Sequence, residues 1–417
     1  MTDTDKTPVP TAVMWDEELL KYRFSDTHPM APIRLELTYH LAEQLGVLDN
    51  DQLSIMYPPV ATDAELARVH TADYIAAVKH ASDYDDAAQL ETDPSRHQDK
   101  ERFDRAGLGT EDCPIFADMH TSSARIAGGS LRAAQAIASG EVSRAVNFAG
   151  GLHHAHRAQA SGFCIYNDAG LAIAHLLDSG VERVAYVDLD AHHGDGVEAL
   201  FWDDPRVLTI SIHESGLMLF PGTGFARDFG GDDAQGSAVN VPISAGAGDA
   251  AFLRAVHAVV PQVLKAFSPE VLITQHGCDG HRLDPLADLN LSVDGQRQMM
   301  LDAAMWAEDF ADNRWLALGG GGYTPYQVVP RIWAHLIAIV AGNPIPLRTG
   351  IPRQWREKVA EVSGLELEKI PELMTDNVDV WWRSWEVGYD PADHNDQSVM
   401  ATRKEIFPLH GLDPWFD

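Results

Sequence analysis

The stretch Arg183-Val184-Ala185-Tyr186-Val187-Asp188-Leu189-Asp190-Ala191-His192-His193-Gly194-Asp195-Gly196 joins an apolar run to three carboxylates and two imidazoles gathered within nine residues. Its first five residues read as a buried parallel strand, short and β-branched, with Gly180 before it and Gly194 and Gly196 after it. The charged cluster then stands at a strand's carboxyl end, where open α/β sheets bind their ligands. Side chains alternate along an extended chain, so Asp188, Asp190 and His192 share one face, and all three are candidate metal ligands. Holding so much charge together is costly unless a metal or a proton network compensates it. A mixed Asp/His set suits Zn²⁺, and a hydrolytic site keeps positions open for water and substrate.

The same pattern recurs outward from this stretch. Apolar runs ending in Gly or His predict strands at 144–151, 183–190, 206–213, 239–243, 270–277 and 314–322. Helical periodicity falls at 167–178, 197–202, 249–267, 293–310 and 325–341. Such alternation is the signature of an α/β fold, a parallel sheet with helices on both faces, and no Pro/Gly/Ser linker divides it. An acidic stretch near 82–105 is expected to be an exposed loop.

Composition narrows the class. The chain has 417 residues, 45% hydrophobic and 22% charged, which is globular, and its net charge of −31 opposes the phosphate contacts of a nucleic-acid binder. An acidic surface favours a cationic partner such as a Lys-rich segment. No apolar run long enough to span a bilayer is apparent, and MTDTDKTPVP lacks the features of a signal peptide, so the expectation is a soluble, cytoplasmic protein without a membrane partner. Cys113, Cys164 and Cys278 lack paired spacing, which fits a reducing compartment.

Residues distant in sequence meet at the strand ends. Asp279, just past the 270–277 run, can complete an Asp190, His192, Asp279 set. The pair His153-His154 after Gly150-Gly151-Leu152 supplies a base for the attacking water and an acid for the leaving group. Asp188 and Asp195 can orient those imidazoles. In Gly319-Gly320-Gly321-Gly322-Tyr323 the glycines allow close approach to a ligand, and the Tyr323 hydroxyl can donate to an oxyanion.

Taken in order, Gly150-Gly151-Leu152-His153-His154, Ala160-Ser161-Gly162-Phe163-Cys164, the opening cluster, Phe220-Pro221-Gly222-Thr223-Gly224 and Gly319 to Tyr323 resemble the zinc-dependent histone deacetylase superfamily. The resemblance runs from about residue 13 to residue 342. It implies the arginase/deacetylase fold: a single domain on a parallel sheet of about eight strands, with 343–417 an extension packed on the same domain. The segments His28-Pro29-Met30-Ala31-Pro32-Ile33-Arg34, 275–288 and Phe407-Pro408-Leu409-His410-Gly411-Leu412 resemble a bacterial branch linked to acetoin utilization.

The resemblance implies hydrolysis of N-ε-acetyl-lysine in proteins or peptides, with zinc, or Fe²⁺ in its place, on Asp190, His192 and Asp279. His154 is then the principal base and acid, His153 its electrostatic partner and Tyr323 the oxyanion donor, while Asp188 and Asp195 back the two histidines. Gly162, Phe163 and Phe220 match the tunnel around the lysine methylenes, Gly321 a further substrate-binding position, Asp112 a rim acid that holds the substrate backbone, and Arg34 the foot of the site where acetate leaves. Potassium is implied near Asp188, Asp190, His192, Ser211 and Ile212. Acetyl-CoA synthetase is the candidate protein substrate of that branch.

Three other readings share parts of this pattern. An acetylpolyamine amidohydrolase has the same chemistry with a different rim. An arginase-like ureohydrolase needs two manganese ions, and its Asp-x-His-x-Asp run is broken here because Asp195 follows His192 by three residues. A non-catalytic acetyl-lysine reader would have lost a ligand or the tyrosine, whereas every one of these positions is filled.

Overall fold

A computed structural model describes residues 9–84 and 97–417. Eight strands form one sheet: β1 Thr11–Met14, β2 Leu53–Met56, β3 Arg144–Asn147, β4 Val184–Asp188, β5 Val207–Glu214, β6 Ala238–Ile243, β7 Val271–Gln275 and β8 Trp315–Leu318. Every pairing is parallel, in the order β2-β1-β3-β8-β7-β4-β5-β6. Strands β3, β4, β5, β7 and β8 are buried along their whole length, as a sheet covered on both faces requires.

Alternation along the strands divides the core in two. Ala12, Met14, Ala145, Val184, Tyr186, Ile273 and Leu316 face one side, under the helices Met119–Ser139 and Asp168–Asp178. Val13, Val146, Ala185, Val187, Leu272 and Ala317 face the other, under Asp249–Phe267, Val293–Phe310 and Val329–Val340. The helix Asp249–Phe267 corrects one expectation, being long and apolar enough by composition to cross a membrane. Its Phe252, Val256, Val259, Val260 and Val263 are buried in this core, and Pro261 interrupts its hydrogen-bond ladder.

The predicted strands and helices from residue 144 onward are present, with ends that shift. Strand 314–322 stops at Leu318 because the glycines beyond it turn across the sheet's end, and the helix expected from 325 begins at Val329. Strands β1 and β2 and the helices Ile33–Gln44 and Met119–Ser139 escaped prediction. Of the acidic stretch expected to be a loop, His97–Arg105 is helical, and 85–96 lies outside the described residues. Beyond residue 342, the Trp355 indole donates to the Leu37 carbonyl at 3.0 Å, and Asp396 receives both Nε and Nη2 of Arg254, at 2.6 and 2.7 Å.

Candidate active site

The predicted histidines, their carboxylates, the Asp190, His192, Asp279 set and Tyr323 collect at the carboxyl ends of β3, β4, β7 and β8. The His153-His154 loop follows β3 and is fixed by a buried carboxylate at the start of the next helix. Asp168 accepts from Gly151 N at 3.0 Å, Leu152 N at 2.7 Å and Ser130 Oγ at 2.6 Å. Asn167 caps that helix through Gly170 N at 2.7 Å and donates to the Ala155 carbonyl at 2.9 Å, closing the loop from its other side.

Each histidine then has its own carboxylate. His153 Nδ1 donates to Asp188 Oδ2 at 2.7 Å, and the Tyr186 hydroxyl donates to the same oxygen at 2.7 Å. His154 Nδ1 donates to Asp195 Oδ1 at 2.7 Å, while His156 Nε2 lies 3.2 Å from Asp195 Oδ2. The two Nε2 atoms face each other at 3.0 Å. Burial disfavours the His153 cation, but Asp188 and Asp190 outweigh it and raise the group to about 9. For His154, burial and the neighbouring His153 charge prevail over Asp195 and lower it to about 4. One imidazole thus favours its cation and the other its neutral form, with the His154 proton on Nδ1 and its Nε2 lone pair accepting from His153 Nε2.

Asp190, His192 and Asp279 converge beside this pair. One ligand atom from each lies within 4.8 Å of the other two, and all three residues are buried. His192 Nδ1 is 2.9 Å from Asp279 Oδ2 and 3.2 Å from Asp190 Oδ1. The remaining oxygens are spent on orientation: Asp190 Oδ2 accepts from Gln275 Nε2 at 2.7 Å and Gly321 N at 2.8 Å, and Asp279 Oδ1 accepts from Ala191 N at 3.0 Å. Position 321 requires glycine, since a Cβ there would stand 2.0 Å from Asp279 Oδ2. Burial and the charge of Asp190 push the Asp279 carboxyl up, whereas His192, against the cost of burial, is held well above its ordinary range by Asp279 and Asp190. Such a group calls for positive charge at its centre, and its one nitrogen and two oxygens fit a divalent ion of the zinc type.

Asp188 is the exception to the expected one-face trio. Its carboxylate turns to His153 and Tyr186 and stands outside the ligand group. It is a register neighbour of Ser211 across β4 and β5, and Ser211 Oγ lies 2.8 Å from His213 Nδ1. Ile212 is buried in β5.

The walls come from other loops. Phe220 lies edge-on to His154 with centroids 5.0 Å apart, and Phe163 lies edge-on to Tyr323 at 5.6 Å. Gly162 N donates to Asp112 Oδ2 at 2.6 Å, so the predicted rim acid already holds the tunnel loop. Arg34 is buried, donates from Nη1 to the carbonyls of Gly320 and Gly322 at 3.1 and 3.0 Å, and lies over the Trp333 ring. Met30 and Leu152 line both the narrow cavity in front of the histidines and a second one that reaches Arg34. Burial, then Asp279 and Asp190, raise the Tyr323 hydroxyl well above its ordinary range, so it stays a donor. A wider cavity at the amino ends of the strands, lined by Arg144, Glu308 and Asn313, holds no comparable constellation among the described residues.

Sequence reasoning missed the supporting residues Asp168, Gln275, Tyr186 and Asp284, the last of which accepts from Tyr323 N at 2.8 Å. Asp168 and Asp284 bond mostly to backbone N–H groups, and Gln275 and Tyr186 donate to the carboxylates of Asp190 and Asp188, contacts that carry no residue-type signature. His193, part of the opening cluster, faces away toward Thr223 and Glu198.

Comparison with known proteins matches residues 28–340 to the histone deacetylase domain. The acetoin utilization protein AcuC of Bacillus subtilis (strain 168) is 40% identical over 334 residues, covering 80% of this chain and 82% of that protein. AcuC of Staphylococcus xylosus is 36% identical over 348 residues, covering 84% and 86%. A crystal structure of an HDAC homolog complexed with SAHA has a TM-score of 0.76 at 28% identity, covering 95% of this chain and all of that one.

Proposed function

The chain belongs to the histone deacetylase family and is an AcuC-like, metal-dependent deacetylase of acetylated substrates, and from that premise we propose that it hydrolyses N-ε-acetyl-lysine in proteins with zinc on Asp190, His192 and Asp279. The observation that carries this reading is the histidine pair, two rings with Nε2 atoms 3.0 Å apart, each backed by its own carboxylate at 2.7 Å, beside the buried Asp-His-Asp group.

The ion, when bound, supplies a Lewis acid for the amide carbonyl and the attacking water. Everything else falls to the chain's own residues. Neutral His154, its Nδ1 proton anchored on Asp195, accepts the water's proton at Nε2. Tyr323 keeps its hydroxyl proton and donates it as a hydrogen bond to the tetrahedral oxyanion. His153, held cationic by Asp188, keeps positive charge beside that oxyanion. The proton taken by His154 passes to the lysine nitrogen, the C–N bond breaks, and lysine and acetate result.

Gly162, Phe163 and Phe220 enclose the lysine methylenes, whose burial favours binding, and Gly321 contacts the substrate beside Asp190 and Asp279. With Oδ2 of Asp112 on Gly162, its other oxygen holds a substrate backbone N–H. Arg34, reached through the cavity shared by Met30 and Leu152, receives the acetate. Asp188, Asp190, His192, Ser211 and Ile212 hold potassium, a reading supported by the strand register of Asp188 and Ser211. Acetyl-CoA synthetase as substrate and a cytoplasmic setting complete the proposal, supported by the acetoin utilization proteins among its relatives.

The test is acetate release from acetyl-lysine peptides and from acetylspermidine, with and without a chelator, comparing wild type with His154→Ala and Tyr323→Phe. Peptide activity should vanish with the chelator and return with zinc, and both variants should lose at least about 10²-fold in kcat. Activity that survives the chelator and both changes would sink the reading, and preference for acetylspermidine would move the substrate to polyamines.

A further inference from the structure

We propose that Asp376, in the segment beyond the family domain, is a positioning residue for Tyr323, so that the C-terminal extension completes the active site. The inference rests on the role given above to Tyr323. Residues matched to the deacetylase domain end at 340, yet Asp376 reaches back to the elements on either side of that tyrosine.

The Asp376 side chain is 7% exposed, accepts three hydrogen bonds and pairs with one further cation. Oδ2 receives His281 Nε2 at 2.9 Å and Val293 N at 3.1 Å and forms an ion pair with Arg282 Nη2 at 3.1 Å, and Oδ1 receives Arg331 Nη1 at 2.9 Å. Its own N–H donates to Asp294 Oδ2 at 2.8 Å, which fixes the carboxylate's approach. Two guanidiniums and an imidazole around one nearly buried carboxylate form a charge-assisted node, and Arg331, itself 2% exposed, has no other carboxylate among its hydrogen-bond partners in the described residues.

The node grips Tyr323 from two directions. On one side, His281 Nδ1 accepts from Leu283 N at 3.2 Å, so the proton sits on Nε2 and points at Asp376. Asp284 N donates to the His281 carbonyl at 2.8 Å, Asp284 Oδ2 accepts from Tyr323 N at 2.8 Å, and Thr324 Oγ1 donates to the Leu283 carbonyl at 2.8 Å. On the other side, Arg331 lies on the helix Val329–Val340 that follows Tyr323, and its Nε donates to the Gln327 carbonyl at 2.6 Å. The tyrosine is thus strung between a loop and a helix that share one anchor. The carboxylates of Asp190, Asp279, Asp188 and Asp195 take no part in the node.

Removing the Asp376 charge should therefore leave the ion and the histidines in place while loosening Tyr323, and a displacement near 1 Å costs about 10²-fold in rate. The experiment uses the full chain and a double-mutant cycle of Asp376→Asn and Tyr323→Phe, with Asp396→Asn as a control in the same segment; kcat, KM, zinc content and melting temperature are measured for each. Asp376→Asn is expected to lower kcat by at least about tenfold with KM and zinc content within about twofold. In the Tyr323→Phe background it should change kcat by less than about twofold, because the group it positions is already gone. Asp396→Asn should lower the melting temperature and leave kcat of the folded enzyme unchanged.

A kcat for Asp376→Asn within about twofold of wild type, or losses that multiply in the double variant, would overturn the inference. Should Asp376→Asn fail to fold, Asp376→Glu, which keeps the charge but alters its reach, enters the same cycle under the same criteria. A fully active Tyr323→Phe would instead remove the role assigned to Tyr323 itself, whereas an impaired Tyr323→Phe beside an unimpaired Asp376→Asn refutes only the positioning role.

Discussion

Gly162→Ala adds one methyl group in a wall of the tunnel, and the structure sets the size of its effect. The new Cβ would stand 2.2 Å from Cδ2 of His154 and 2.6 Å from Cγ, where ordinary contact begins near 3.4 Å. Position 162 cannot swing aside without losing the bond from its N–H to Asp112 at 2.6 Å. The imidazole must then retreat by about 1.2 Å, with both of its nitrogens already engaged, on Asp195 at 2.7 Å and against His153 at 3.0 Å. A misplacement of that order costs about 10²-fold, or roughly 2.7 kcal/mol of transition-state stabilisation. The backbone adds a separate effect: φ is +53°, and a left-handed residue with a Cβ costs about 1–2 kcal/mol of stability. That loss still leaves a chain of this size folded at room temperature, so the two effects separate in the data. Steady-state acetate release should show kcat down about 100-fold while a thermal melt shows a fall of only a few degrees. A variant that keeps more than a third of its kcat would refute the claim that the His154 ring is locked in place.

Asp195→Asn replaces the acceptor of His154 Nδ1 and unsettles the imidazole's tautomer; single-turnover acetate release should slow by about 10²-fold or more with an unchanged circular dichroism spectrum. Asp396→Asn leaves the buried Arg254 guanidinium without its carboxylate and should lower stability by about 3 kcal/mol, read from the chemical denaturation midpoint, without affecting turnover. Against the cost of burial, His281 and Arg331 hold the Asp376 carboxyl well below its usual range, so its contribution to stability is present above the unfolded pKa near 4 and is lost as the pH falls through that value toward the folded one. The melting temperature of the wild type should consequently fall more steeply between about pH 5 and pH 3 than that of Asp376→Asn; parallel curves would refute the linkage.

Residue patterns exposed those parts of the fold that carry a strong period. Strands β4, β5 and β7 are runs of five to eight buried residues flanked by glycine or helix signals, and the helices Asp249–Phe267 and Val293–Phe310 were bounded correctly. Strand β1 has only four residues, and β2 is a short edge strand whose Ser54 and Ile55 are exposed, so neither announces itself. The helix Ile33–Gln44 buries Arg34 and Thr38 beside Leu35 and Leu37, which blurs its apolar stripe. At the site, Asp190, His192 and Asp279 were legible because ligand chemistry demands particular residue types at strand ends. Strand alternation alone misassigned Asp188, since the chain leaves extended geometry after β4 and the partner of Asp188 lies 35 residues away. The anchors Asp168, Asp284 and Asp376 work through backbone amides and distant cations, contacts that only tertiary structure creates.

Strand β8 lies between β3 and β7, although both precede it by many residues. One flank of the sheet, β2-β1-β3, ends in the two histidines; the other, β7-β4-β5-β6, carries both strand ends that supply the Asp-His-Asp group. During synthesis each flank emerges complete before residue 315 does, and neither holds a working site. Strand β8, paired to both β3 and β7, joins the two flanks, and the glycine loop after it carries the tyrosine. A chain stopped short of β8 lacks both the strand that pairs the two flanks and the tyrosine, so this parallel, non-local sheet is completed only by its last strand.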